Sequence, residues 1–157
     1  MHSALGIVLK KIDIGEDAVL LSIYTKEFGK LRAVAQGIKK EQAKLRGHLE
    51  PLNLVTVQYV SGKNGMRLTH AALEEYWDVL RNSWPAYSSA CSIAALVDNV
   101  CFENDPDKAL WLLLLESFAT LNQEGFSEYA ALQSSFEIRF AESLGYNIRE
   151  YTRGIPL

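Results

Sequence analysis

An α+β chain is predicted, with a five-stranded antiparallel barrel over residues 1–74 followed by a compact all-α unit over residues 75–157. Two observations carry that expectation. Five stretches of β-type patterning crowd into the first half with no helical interlude long enough for a parallel crossover, which favours a small closed sheet over an α/β arrangement. After Leu73 the period changes, and apolar residues recur at three- and four-residue steps suited to packed helices.

Leu5, Ile7 and Leu9 alternate with Gly6, Val8 and Lys10, the period of a strand, although both faces are partly apolar. Gly15-Glu16-Asp17 reads as a turn, and a second strand over 18–24 sets Val19, Leu21 and Ile23 on one face. Lys26-Glu27-Phe28-Gly29 supplies the next reversal, where Gly29 can take the positive φ that a tight turn requires. The third strand, 30–36, alternates so that Lys30 and Arg32 stand together opposite Leu31. Residues 37–47 form a basic connection without a strand pattern. The β-branched run Leu54-Val55-Thr56-Val57-Gln58-Tyr59-Val60 is the fourth strand, and Ser61-Gly62-Lys63-Asn64-Gly65 turns it back into a fifth over 66–72. Spacing alone does not fix strand topology, so an SH3-like barrel or an open sheet satisfies the same pattern.

In the second half, Glu74 to Asn82 reads as a linker or short helix. Ser83 can cap a helix with Pro85 in its first turn, running to about Cys101. Asp105-Pro106 signals the next start, with its helix reaching about Leu121. Tyr129, Leu132, Phe136, Phe140 and Leu144 line one face of a third helix over about 126–144, ended by Gly145. The tail 147–157 has no strong period.

Composition bounds the function. A chain of 157 residues that is 48% hydrophobic can bury a sizeable core, and its longest apolar run, Ala109 to Leu115, is much too short to span a bilayer. The N-terminus lacks the layout of a secretory signal, so a cytoplasmic address is expected. Cys91 and Cys101 cannot by themselves supply the four ligands of a structural zinc site and are read as free thiols, with a disulfide or shared metal as the alternative. His2, His48 and His70 belong to no metal-binding or catalytic motif, and Gly62-Lys63-Asn64-Gly65 lacks the length and hydroxyl of a phosphate-binding loop. No catalytic residue, metal or cofactor is expected.

The charges divide unevenly. Residues 1–73 hold 11 basic and 6 acidic side chains, whereas residues 74–157 hold 5 and 13. Residues 25–46 alone carry seven basic side chains against two acidic ones, an excess that suits contact with a polyanion. Lys10, Lys30, Arg32, Lys39, Lys40, Lys44 and Arg46 are therefore the candidate DNA-facing set, and Tyr24, Phe28 and Tyr59 the candidate rings for base stacking. Both tyrosines also suit a core, and Phe28 suits docking as well as stacking. A protein-binding scaffold with two adhesive surfaces is the competing reading, and an enzyme whose residues converge only in the fold is the third.

The ordered motifs resemble the bacterial recombination mediator RecO family. The likeness lies in G-I-V-L-K at Gly6 to Lys10, L-S-I-Y-T-K-E-F-G-K-L at Leu21 to Leu31, A-Q-G-I-K-K at Ala35 to Lys40, L-R-G-H-L-E-P-L at Leu45 to Leu52, and F-E-I-R-F-A-E-S-L-G-Y at Phe136 to Tyr146. The resemblance implies an oligonucleotide-binding (OB) fold, then a helical domain. It also implies binding of single- and double-stranded DNA, strand annealing, and work with RecR and single-stranded-DNA-binding protein to help load RecA, in the cytoplasm at the nucleoid. Many members carry a four-cysteine zinc module after the L-G-Y segment; this chain ends at Leu157 without those cysteines, so zinc is not carried over.

Overall fold

The structure, a computed structural model, describes residues 1–37 and 47–146. Five strands, β1 (His2–Ile14), β2 (Ala18–Thr25), β3 (Gly29–Gln36), β4 (Leu54–Gly62) and β5 (Gly65–Glu75), close into a barrel in the order β1-β2-β3-β5-β4. Four helices follow: α1 (Asp78–Arg81), α2 (Trp84–Val100), α3 (Lys108–Leu121) and α4 (Tyr129–Ser143). The OB-like barrel and helical unit match the α+β expectation. One seam refines it. Four pairings are antiparallel, but β5 closes on β3 in parallel, through Ala33 opposite Met66 and Val34 opposite Arg67.

The barrel interior is filled by alternating residues such as Val8, Val19, Leu21, Ile23, Leu31, Val55, Val57 and Leu68. A second core lies outside it. Ile7, Leu9 and Tyr24 from the barrel and Leu52 from the β3–β4 connection pack with Leu80, Ile93, Val97, Leu114, Phe118, Phe136 and Phe140 from the helices. This explains why β1 is apolar on both faces: one lines the barrel and the other is covered by α2. The units expected at 1–74 and 75–157 share that second core.

The outer core is fastened by polar contacts that no periodicity could announce. The Trp77 indole donates to the Leu52 carbonyl at 2.9 Å and sits edge-on to Phe118. Arg81 reaches back across the junction, donating to the Pro51 carbonyl at 2.7 Å and to the Asn53 side-chain oxygen, while Asn53 in turn donates to the Gly47 and His48 carbonyls.

Two helix starts follow the capping chemistry. Ser83 caps α2 with Pro85 in its first turn. At α3 the cap is Asp107, whose carboxylate accepts from the Leu110 amide at 3.1 Å, two residues later than the Asp105-Pro106 signal suggests. The backbone of Asp105 and Pro106 instead packs against Gly29. Among the described residues, no helix is long and apolar enough to cross a membrane.

Candidate nucleic-acid interface

The face opposite the barrel core is built by register. On β1, Ala4 and Val8 point inward, and strict alternation would send Lys10 the same way. It does not, because Val8 pairs with Ile23 while Lys10 pairs with Ser22, leaving Leu9 as an extra residue in the strand. This β-bulge reverses the phase and turns Lys10 outward. Ser22 then pairs with Arg32 on β3, so Lys10, Ser22 and Arg32 lie in one row across three strands. Lys10 and Arg32 are exposed, and no ion pair holds either among the described residues.

Two depressions mark this face. One, of about 250 Å³, is lined by Lys10, Ile12, Leu20, Ser22, Lys30 and Arg32, with Asp98 and Asn99 of α2 at its edge. The other, of about 380 Å³, lies between the end of β3 and the β4–β5 hairpin, where Val34 and Gln36 meet Lys63 and Arg67. Exposed Ile12 and half-buried Leu20 and Val34 give the face an aliphatic floor between its cations. Acidic Asp13, Glu16 and Asp17 follow Ile12 into the β1–β2 hairpin, so the positive field is bounded at that end.

The candidates separate in space. Lys10 and Arg32 come together as described. Lys30 shares their strand face but is not free: its Nζ lies 3.3 Å from Asp98 Oδ1 and donates to the Asp98 carbonyl at 2.6 Å, with the side chain only 14% exposed. Its charge is already matched, which corrects its reading as an open phosphate contact. Lys39, Lys40, Lys44 and Arg46 lie outside the described residues.

The two tyrosines are also corrected. Tyr24 is 1% exposed and packs in the second core, its hydroxyl accepting from the Asp107 amide at 3.3 Å and donating to the Asp107 carbonyl at 3.4 Å. Burial pushes that hydroxyl up to about 12. Tyr59 is 3% exposed, with the His2 ring stacked on it at 5.3 Å and Phe28 edge-on at 6.1 Å. Neither ring has a free face for a base. Phe28 is half-buried, packing on the barrel core beside a turn.

Arg67 and Lys63 belong to this face and were not among the candidates. The signal was available for Arg67, which alternates with inward Met66 and Leu68; what was missing was that β5 closes on β3 and so brings Arg67 beside Val34. Elsewhere, His48 meets the Ala71 carbonyl at 3.1 Å, and both cysteine thiols are free and half-buried. Burial pushes the Cys101 thiol up to about 11. No group of three metal-ligating side chains occurs among the described residues.

Comparison with known families decides what this barrel and its helices belong to. Residues 1–76 match the family model described as recombination protein O N terminal, and residues 81–151 match the one described as recombination protein O C terminal. The chain belongs to the RecO family. Proteins named DNA repair protein RecO are similar over most of it: 32% identical over 149 residues in Heliobacterium modesticaldum, 30% over 145 in Moorella thermoacetica and 28% over 146 in Pelotomaculum thermopropionicum. These matches cover 92–93% of this chain and 52–56% of the relatives, so the chain spans about half the length of the RecO proteins it matches.

Proposed function

We propose that this chain binds DNA on the outer β1-β2-β3-β5 face of its barrel and acts in recombinational repair by holding and annealing strands and by helping to load RecA onto single strands coated by single-stranded-DNA-binding protein, with RecR as a further partner. The observation that supports this most is the bulge-directed row in which Lys10 and Arg32 stand exposed over an aliphatic floor, extended by Arg67 and Lys63. Ammonium and guanidinium groups neutralise phosphates with little regard to sequence, and the floor gives unpaired bases an apolar surface. Neutralising two strands at once lowers their mutual repulsion, and annealing needs no bond cleavage. Lys39, Lys40, Lys44 and Arg46 extend the basic set along the β3–β4 connection. The acidic helical unit keeps DNA on the barrel side and leaves a groove between α3 and α4, lined by Leu113, Phe126, Leu132, Phe136 and Arg139, for a protein partner.

Charge reversal tests the assignment. The combined change Lys10→Glu, Arg32→Glu and Arg67→Glu is expected to weaken single-stranded DNA binding by about tenfold or more while the melting transition stays near that of the unaltered chain. Equal affinity in a folded triple variant would reject this face.

A further inference from the structure

We propose that Asp98, reaching over from α2, sets the DNA affinity of the barrel face by placing its carboxylate beside Lys30, where a backbone phosphate would otherwise sit. The inference rests on the DNA-binding reading above. Asp98 lines the same depression as Lys10 and Arg32, so its charge belongs to the candidate interface as well as to the helix. Its Oδ1 lies 3.3 Å from Lys30 Nζ and accepts the Ser22 hydroxyl, and its backbone carbonyl takes a second contact from Lys30 at 2.6 Å. With Lys30 and Asp98 side chains 14% and 13% exposed, solvent screens the pair poorly.

The position is unfavourable within its own helix. Asp98 stands in the last turn of α2, which holds no basic residue, and the free carbonyls there already carry partial negative charge. What this carboxylate meets is the barrel, not a helical neighbour. A carboxylate and a phosphate present equivalent anionic acceptors to an ammonium group, so the two compete for Lys30, and the carboxylate also repels a phosphate approaching Lys10 or Arg32.

Titration of a fluorescent single-stranded oligonucleotide reads the effect. Asp98→Asn keeps an oxygen for Ser22 and leaves the backbone contact in place while removing the charge. It is expected to tighten binding roughly threefold to tenfold and to steepen the slope of log affinity against log salt by about 0.7, the increment for one added phosphate contact on a single strand. Unchanged or weaker binding by a folded variant overturns the proposal. Should Asp98→Asn not fold, Asp98→Ser decides in its place: it too takes the carboxylate away from Lys30 and is expected to tighten binding severalfold, and equal or weaker binding by that folded variant overturns the proposal. Absence of binding by the unaltered chain overturns the DNA reading itself and this inference with it.

Discussion

Tyr24 illustrates how one side chain closes the junction between barrel and helices. Its ring packs in the shared core, and its hydroxyl both accepts from and donates to the backbone of Asp107. These bonds are long, so Tyr24→Phe is expected to lower stability by only about 0.5–1.5 kcal/mol and to leave DNA affinity unchanged. The pH profile is more telling. Burial raises the folded-state value from 10.0 to about 12, so the unfolded chain ionises first; the stabilisation is complete below pH 10 and is lost as pH rises towards 12. Denaturant titrations across that window should show a flatter decline for Tyr24→Phe, while the loss from Cys101, which begins near 9 and ends near 11, persists in both proteins. Nothing in the alternation of β2 distinguishes Tyr24 as a junction residue, because the Asp107 backbone that its hydroxyl meets lies 83 positions later in the chain. Lys30 was legible as an outward cation for the same local reason that its pairing with Asp98 was not.

The strands and the start of α2 were the most legible elements, since alternation, Asn-Gly and Ser-x-Pro each act within a few residues. The bulge at Leu9 was not. It shows only in the pairing of Lys10 with Ser22, yet it decides whether Lys10 faces solvent or the barrel interior. The β2–β3 turn is a similar case: its glycine was predicted for its positive φ, and it has φ +70. Its second role emerges from packing, because an added Cβ would stand 2.6 Å from the Asp105 carbonyl carbon and oxygen. The segment ahead of α3 therefore needs a bare backbone at Gly29. Gly29→Ala is expected to lower stability by more than about 1 kcal/mol, through both the left-handed conformation and the clash, and thermal melting measures it directly.

Across the whole molecule, the uneven charges of the two halves become a division of surfaces. The barrel carries an exposed basic row on one outer face and gives another to the helices, while the acidic half reaches the row through Asp98, which accepts from Ser22 and pairs with Lys30. Fold class was legible because local periods report strand and helix directly. The interface was legible only in part: charge and alternation marked Lys10 and Arg32, but the parallel seam that adds Arg67, and the burial that removes Tyr24 and Tyr59, depend on contacts between distant segments.

The most direct measurement is a salt titration of single-stranded DNA binding, compared between the unaltered chain and the Lys10→Glu, Arg32→Glu, Arg67→Glu variant. Phosphate contacts from Lys10, Arg32, Lys63 and Arg67 should contribute roughly −3 to the slope of log affinity against log salt, and reversing three of these four cations should flatten it by about 2. A slope unchanged by those reversals, in a variant that melts like the unaltered chain, would contradict DNA binding on this face.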